Sequence, residues 1–330
     1  MSDLALAAFA AETDAHLVRE PRERRFERFR RRFDEQAYRA DLRARGICFV
    51  GRSDQAYPRL LLELHDPPPG LFLRGVGSVD VLATTAVAIV GARACSSYGA
   101  QVARLLGREL AAAGLLVVSG LARGVDGEAH RGALEAGGLT VAVLGCGVDR
   151  DYPAAHAQLA SRICERGLVV SEYAPGVAPA PWRFPARNRI IAGVAAATVV
   201  VEARDRSGAL ITADFALEAG REVFAVPGEI TSALSIGTNA LLRLGATPLT
   251  APADVLEALG LEPRANTEPP LGETAARVLT ALSTEASGVN ELVGATGLDA
   301  AAVATALAEL ELAGAVAEAD GLYRGVRPPG

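Results

Sequence analysis

A basic cluster in the middle of the chain is the first candidate for chemistry. Arg187, Asn188 and Arg189 stand together in the stretch 184–193, after a proline-broken run and before a buried-strand pattern. This order predicts that a loop opens a helix at the cluster. The first N–H groups of a helix lack intrahelical partners and lie at the positive end of its dipole. With guanidinium groups beside them they would bind phosphate. The alternative is a solvated arginine helix packed beside a sheet.

Residues suited to acid–base or nucleophilic catalysis are isolated from one another. Asp126 and His130 lie four apart on a predicted helix, but no nucleophile accompanies them, so a helix cap is favoured over catalysis. Glu202 stands alone at a strand end, and Cys95 and Cys146 are interpreted as buried small apolar residues. The GxGxxG, Walker, HExxH and GxSxG motifs are absent from the sequence. These residues form no recognisable catalytic constellation, and the sequence gives no sign of a cofactor site.

Composition is that of an ordinary α/β protein. The 330 residues allow two or three domains, half of them are hydrophobic, and aromatic residues are few. The sequence contains no apolar run of about 18 residues that would span a membrane. It shows no signal-peptide pattern at its start, so a cytoplasmic location is expected. Four cysteines and four histidines are scattered, which predicts neither a disulfide framework nor a metal site.

Charge is distributed unevenly along the chain. All 33 basic residues are arginine, so no lysine can act as a Schiff base or a P-loop lysine. The net charge of -6 lies entirely in residues 265–330, where nine acids face three arginines, and residues 1–264 are balanced. Within them, residues 183–206 carry five arginines against two acids. Local patches bind phosphate, whereas net charge mainly affects solubility and steering.

A regular alternation of apolar segments and helical patterns must position these residues. It predicts a mainly parallel sheet with helices on both faces, whose ligand lies beyond the carboxyl ends of the strands. Strands are predicted at 71–73, 86–90, 115–118, 140–144, 168–170, 198–202, 222–226 and, at an edge, 246–250. Five loops follow at the carboxyl edge, with Gly91 and Arg93, Gly120 and Arg123, Gly145 and Gly147, Arg187 and Asn188, and Ser207 and Gly208. The glycines would let a phosphate approach the backbone.

Four regions are predicted along the chain. Residues 1–45 are a short helical segment with 11 arginines between positions 19 and 45, which suits either a nucleic-acid backbone or a solvated, ion-paired helix. Residues 46–262 form the Rossmann-like domain and 263–272 a proline-containing linker. Residues 273–330 show three helices and a hairpin, a winged-helix-like pattern. Its third helix has no arginine and carries Glu309 and Glu311, so a protein-interaction or structural role is favoured over duplex reading.

The motifs, taken in order, closely resemble the DNA processing protein A family, also called DprA or Smf. The resemblance covers about residues 47–260 and rests on many segments in the family's order. They include Ala88-Ile89-Val90-Gly91-Ala92-Arg93, Ser97-Tyr98-Gly99, Ser119-Gly120-Leu121-Ala122-Arg123-Gly124-Val125-Asp126, Phe184-Pro185-Ala186-Arg187-Asn188-Arg189 and Ser207-Gly208-Ala209-Leu210.

The resemblance implies an extended Rossmann-like fold that binds single-stranded DNA without catalysis. It implies a homodimer that protects incoming strands in natural transformation and loads the recombinase RecA, with duplex DNA and a single-strand-binding protein as further partners. The expected DNA-binding residues are Gly91, Arg93, Ser97, Gly120, Arg123, Gly145, Arg183, Phe184, Arg187, Asn188, Arg189, Ser207 and Gly208. Phe184, Trp182 or Tyr173 would supply a face for base stacking.

Two departures from the family pattern accompany the resemblance. The N-terminal helical SAM-like domain is short, and arginines replace the lysines that often assist DNA contact, which favours bidentate phosphate binding. The rival function is that of a Rossmann-like nucleotide phosphoribohydrolase, which needs a PGGxGTxxE-type loop with a catalytic glutamate. Pro227-Gly228-Glu229 and Gly237-Thr238-Asn239 do not reproduce that loop.

Overall fold

The structure is a computed structural model that describes residues 2–13, 24–261, 272–282, 286–312, 315–319 and 321–325. The chain divides into two compact units, Met1–Arg264 and Ala265–Gly330. The linker predicted at 263–272 lies outside the described residues except for Gly272, so its bounds remain a prediction.

The first unit is built on one sheet of nine strands in the order β1-β2-β6-β5-β4-β3-β7-β8-β9. From β6 to β9 every neighbouring pair is parallel, whereas β2 runs antiparallel to β6 and β1 antiparallel to β2. The strands are β1 Ile47–Gly51, β2 Gly70–Arg74, β3 Ala86–Val90, β4 Leu116–Ser119, β5 Thr140–Val143, β6 Leu168–Ser171, β7 Ala197–Val200, β8 Glu222–Ala225 and β9 Thr247–Pro248. The predicted mainly parallel, doubly wound sheet is confirmed; β1 was not predicted.

Helices cover both faces of this sheet because its central strands are apolar on both sides. The helices of the unit are α1 Asp3–Thr13, α2 Arg24–Arg32, α3 Glu35–Ala44, α4 Arg59–Leu62, α5 Ser97–Ala112, α6 Val125–Glu135, α7 Ala157–Cys164, α8 Arg183–Val194, α9 Gly208–Glu218, α10 Ile236–Arg243 and α11 Pro252–Ala258. Val87 and Ile89 share a buried cluster with residues of α5, α6 and α11, and Ala86 and Ala88 share another with residues of α8 and α9.

The N-terminal helices pack on the half of the sheet formed by β2, β5 and β6. Leu4 of α1 and Leu42 of α3 share a buried cluster with Phe72 and Val169 of the sheet. The predicted helical segment 1–45 is thus described as three short helices, with residues 14–23 outside the described part. Phe26 and Phe29 of α2 are buried against Phe9 of α1, which explains the apolar spacing in this arginine-rich stretch.

The second unit contains three helices and a hairpin, as predicted. The helices are α12 Glu273–Ala281, α13 Val289–Thr296 and α14 Ala300–Leu312, and the hairpin pairs β10 Val316–Ala319 with β11 Leu322–Gly325. Val278, Leu292 and Leu307 are buried in the common core of the three helices.

Membrane-spanning length is not reached by any single helix among the described residues. Only α13 and α14 taken together pass such a test of length and composition, and they are bent by 109°. Leu292 of α13 and Leu307 and Leu310 of α14 are buried within the core of their own unit.

Candidate phosphate-binding site

The site lies where the chain changes direction across the sheet. Strand β3 is followed in sequence by β4 on one side, whereas β7 lies on its other side, so β3 and β7 flank the topological switch point. In open α/β sheets a crevice forms at the carboxyl ends of the strands at this point, and ligands bind there. Two adjoining cavities of ≈ 230 and ≈ 260 Å³ occupy this crevice and share Arg93, Ala122, Phe184 and Arg187. We call the two cavities together the groove.

All but three of the predicted site residues line the groove. The cavity on the β7 side is lined by Gly91, Arg93, Phe184, Arg187, Asn188, Ser207 and Gly208. The cavity on the β5 side is lined by Arg93, Gly120, Arg123, Gly145, Phe184 and Arg187. Residues far apart in sequence therefore meet because they follow parallel strands.

Arg187 forms the floor of the groove. Its side chain is buried, and its Nη1 donates to the carbonyl oxygens of Val143 and, at 2.9 Å, of Gly120. Burial lowers the pKa of Arg187 to about 10, so the guanidinium remains charged at neutral pH. Asp126 is close enough to act on it electrostatically. Carbonyl oxygens are neutral, so much of this positive charge is left for an anionic ligand.

The helix start at this cluster was predicted wrongly. Helix α8 begins at Arg183, so Arg187 and Asn188 lie in its second turn and not among its first amides. The amides of residues 187 and 188 are therefore not the predicted anion site. What the cluster offers the groove is the guanidinium of Arg187 and the amide side chain of Asn188.

Asn188 holds one wall of the groove in place. Its Nδ2 donates to the carbonyl oxygen of Gly208 at 3.0 Å, and its Oδ1 accepts from Nε of Arg187 at 3.2 Å. Ser207, in extended conformation, caps α9 by accepting from the N–H of Ala209 at 3.3 Å. The amino end of α9 is thus fastened to α8 beside the groove.

Gly120 is required by close approach at the floor. A Cβ at this position would lie 2.6 Å from Nη2 of Arg187 and 2.7 Å from Oδ2 of Asp126. The same Asp126 oxygen accepts from the N–H groups of Gly120 and Ala122 at 3.1 and 3.3 Å. Any side chain at position 120 would displace the two charged groups that shape the floor.

An aromatic wall stands opposite the arginines. Phe184 and Tyr152 stack with ring centroids 5.2 Å apart and an interplanar angle of 24°. The guanidinium of Arg93 lies over the Phe184 ring, 5.4 Å from its centroid. Arg93 is exposed and forms no ion pair with any other described residue. The wall combines a cation with stacked rings, the two features that single-strand binders use.

Tyr152 is an aromatic groove residue that the sequence analysis did not assign to the site. It follows β5 in the loop that opens toward the 3₁₀ turn Ala154–His156, and 41% of its surface is exposed. Its position in a loop that follows a predicted strand was the signal that could have assigned it to the groove. Of the expected stacking residues, Phe184 lines the groove, whereas Trp182 and Tyr173 contact each other and the guanidinium of Arg183.

Three predicted residues lie outside the groove. Ser97 is exposed at the start of α5 and lines neither cavity. Arg183 lines neither cavity, and its guanidinium lies over the rings of Tyr173 and Trp182. Arg189 is buried and pairs with Glu172, with 2.5 Å between Nη2 and Oε2. Their positions give no support to a role in phosphate binding.

The catalytic candidates have structural partners. Nδ1 of His130 lies 2.7 Å from Oγ1 of Thr140, and burial lowers the pKa of His130 to about 3. Glu202 accepts from the backbone N–H and the hydroxyl of Ser96 at 2.9 and 2.5 Å, which anchors the loop before α5. Burial raises the pKa of Cys146 to about 11, so the thiol stays protonated at neutral pH.

The doubly wound sheet and the arginine-lined groove at its switch point are those of a Rossmann-like domain. A family model described as DNA recombination-mediator protein A matches residues 48–260, and a model described as the DprA winged helix domain matches residues 262–321. The chain therefore belongs to the DprA/Smf family of DNA recombination-mediator proteins.

Individual relatives are similar over most of their length. The DNA processing protein DprA of Streptococcus pneumoniae is 47% identical over 203 residues, which cover 62% of this chain and 71% of that protein. The X-ray structure of DprA from the same organism superposes with a TM-score of 0.66 at 38% identity, covering 79% of this chain and 93% of that one. A structure of DNA processing protein A from Helicobacter pylori, described for its single-stranded DNA binding mode, superposes with a TM-score of 0.59 at 30% identity, covering 64% of this chain and 95% of that one.

Proposed function

We propose that this protein binds single-stranded DNA through its sugar–phosphate backbone, with little sequence preference and without altering it. The observation that carries the proposal is the groove, in which exposed Arg93 and buried Arg187 face the Phe184–Tyr152 stack. Guanidinium groups would contact phosphates and the aromatic wall would stack bases. The solved Helicobacter pylori relative, described by its single-stranded DNA binding mode, supports this function.

Weak sequence preference follows from what lines the groove. The charged and aromatic groups there recognise phosphate and the π-face of any base. Asn188, the amide that could read a base edge, already uses Nδ2 on Gly208 and Oδ1 on Arg187. The groove therefore favours backbone and stacking contacts over reading of base edges.

Family membership supports finer steps of the proposal. The matched family is described by recombination mediation, which supports a role in DNA recombination. As finer steps we propose that the protein acts in the cytoplasm as a homodimer that protects incoming strands and loads RecA. Duplex DNA and a single-strand-binding protein are further proposed partners. The acidic third helix of the second unit, with Glu309 and Glu311, favours a protein contact over a DNA contact for that unit.

The alternative function, that of a nucleotide phosphoribohydrolase, is less well supported by the residues that line the groove. Among the described residues that line it, Asp126 is the carboxylate, and one of its oxygens accepts from two backbone N–H groups. Burial raises the pKa of Asp126, with Arg187 and Arg93 opposing the shift. A carboxylate held in this way shapes the loop and the floor, and no second acid accompanies it as glycoside hydrolysis usually needs.

The proposal is tested with Arg93→Ala, compared with Arg162→Ala on the exposed face of α7. Fluorescence anisotropy with several unrelated oligonucleotides should show affinity lowered by about tenfold for all of them, because a phosphate contact is lost whatever the bases. The slope of log K against log salt should become shallower by about 0.7. Arg162→Ala should bind as the unaltered protein does.

Two outcomes would contradict the proposal. Unchanged affinity and salt dependence in Arg93→Ala would mean that the groove does not hold the strand. Release of free base from nucleoside monophosphates, abolished by Asp126→Asn, would identify the groove as a hydrolase site instead.

A further inference from the structure

Helix α2 is rich in arginines, and none of them lines the groove. Its nine residues, Arg24–Arg32, contain six arginines, one glutamate and two phenylalanines. Phe26 and Phe29 are buried against Phe9, with ring centroids 5.3 and 5.4 Å away. The arginines and the glutamate are all exposed. The helix is thus fixed to the fold by its aromatic side and turns its guanidinium groups to solvent.

The charges on α2 are unbalanced within the described structure. None of its six arginines forms an ion pair with a described residue, whereas Arg39 of neighbouring α3 pairs with Glu35 and Arg45 pairs with Asp41 and Asp149. Arg24, Arg28 and Arg31 follow one another at spacings of four and three residues on the face opposite the phenylalanines. Like charges at these spacings repel and weaken a helix. A helix arranged against its own stability in this way suits a polyanionic partner that would relieve the repulsion.

The chemistry of α2 favours a nucleic-acid backbone over a membrane surface. A helix that lies in a membrane interface needs an apolar face to insert, and the apolar residues of α2 are buried in the protein. Guanidinium forks instead match phosphate oxygens in pairs. A helix of nine residues is about 14 Å long, enough to present its arginines to more than one phosphate of a flexible strand.

A cavity at the C-terminal end of α2 extends to the first residue of α8, the helix that lines the groove. Phe29 and Phe33 line a cavity together with residues 174–178 and Arg183. Arg183 is the first residue of α8, and the next residue, Phe184, belongs to the aromatic wall of the groove. Arg150, in the loop that carries Tyr152, donates to the carbonyl oxygen of Gly176 at 2.8 Å. The loop 174–178 therefore connects the surroundings of the groove to the base of α2.

We propose that α2 is a second contact for the backbone of single-stranded DNA, reached only by strands long enough to leave the groove and cross the loop 174–178. This inference rests on the proposed function, because the groove must hold one part of the strand. Short strands would be bound by the groove alone. Longer strands would gain affinity and salt dependence from α2.

The test compares two triple variants that remove equal charge. Arg24→Gln, Arg28→Gln and Arg31→Gln together empty the outward face of α2 and keep both phenylalanines. Arg59→Gln, Arg162→Gln and Arg243→Gln together are the matched control, since these arginines are exposed and line neither groove cavity. Binding is measured by anisotropy with oligonucleotides of about 6 and about 25 nucleotides, a range that spans common site sizes.

The α2 variant should bind the short oligonucleotide as the unaltered protein does and the long one about tenfold more weakly. Its salt slope for the long oligonucleotide should be shallower by about 2, since three contacts contribute about 0.7 each. The control variant should match the unaltered protein at both lengths. The melting temperature of the α2 variant should not fall, because repulsion within the helix is reduced.

Three outcomes would overturn the inference. Equal affinity of the α2 and control variants for the long oligonucleotide would show that α2 makes no contact. Arginine-dependent cosedimentation with phosphatidylserine vesicles, with DNA affinity unchanged, would assign α2 to a membrane surface. Failure of the unaltered protein to bind either oligonucleotide would remove the proposed function itself. This outcome is distinguished from the other two because binding is then absent before any residue is changed.

Discussion

Arg187 and Arg189 lie two residues apart on the same helix, are almost equally buried, and have opposite surroundings. Nη1 of Arg187 donates to backbone carbonyl oxygens at the floor of the groove. Nη2 of Arg189 instead meets the carboxylate oxygen of Glu172 at 2.5 Å, on another side of α8. Burial raises the pKa of Glu172, and the guanidinium of Arg189 opposes that shift.

The difference shows that an arginine's partner decides what it is available for. Carbonyl dipoles orient Arg187 without cancelling its charge, and Asp126 acts on it electrostatically without forming a direct ion pair in the described structure. A carboxylate in direct contact cancels the charge of Arg189, and the pair then serves the fold. The pair still leaves buried polar atoms without a hydrogen-bond partner among the described residues, namely Nε and Nη1 of Arg189 and Oε1 of Glu172. Both arginines belong to the same basic motif, but only Arg187 lines the groove.

The largest effect is expected from Arg187→Met. The substitution removes the charged floor and leaves the buried carbonyl oxygens of Gly120 and Val143 without their donor. DNA affinity should fall by about a hundredfold or more, and the free energy of unfolding by about 1–3 kcal/mol for each abandoned carbonyl. Arg187→Lys should restore part of the affinity only, because an ammonium cannot reproduce the planar fork. Urea denaturation and anisotropy measure the two effects, and full affinity in the Met variant would place the strand elsewhere.

Arg189→Met should change stability and leave binding intact. Removing one partner of a buried ion pair leaves a buried charge, which costs about 3–5 kcal/mol in the free energy of unfolding. The double variant Arg189→Met with Glu172→Leu should recover most of that loss, because both charges are then gone. DNA affinity of the folded variants should stay within about twofold of the unaltered protein. A folded Arg189→Met variant that loses affinity as Arg187→Met does would erase the distinction between the two arginines.

A smaller effect on affinity is expected from Tyr152→Ala at the aromatic wall. Loss of a stacking ring should weaken DNA binding by about 1–3 kcal/mol, and stability should change little because the ring is substantially exposed. Tyr152→Phe should bind normally, since the ring and not the hydroxyl stacks. An abasic oligonucleotide isolates the phosphate contacts, and Tyr152→Ala should bind it as tightly as the unaltered protein does. An equal loss with the abasic strand would mean that Tyr152 supports the backbone contacts instead.

Much of the groove was predictable because parallel strands bring their carboxyl ends to one edge. Gly91, Gly120 and Ser207 could be assigned there from strand order alone, and the structure places all three in the groove. The winged-helix pattern was predictable for a similar reason, since helical periodicity and a turn at Asp320-Gly321 are local signals. The strand Ile47–Gly51 was missed because it has only five residues and its buried and exposed positions do not alternate regularly.

The sequence by itself determined the class of fold, the edge of the sheet at which the groove lies and the basic residue types that gather there. These follow from strand–helix alternation and from residue type, which are local along the chain. The tertiary structure decided which arginines serve the groove, because the direction of a side chain around α8 depends on where that helix begins and what it packs against. It also decided that Tyr152 joins Phe184, since stacking between residues 32 positions apart is set by the packing of two loops and leaves no periodic trace in the sequence.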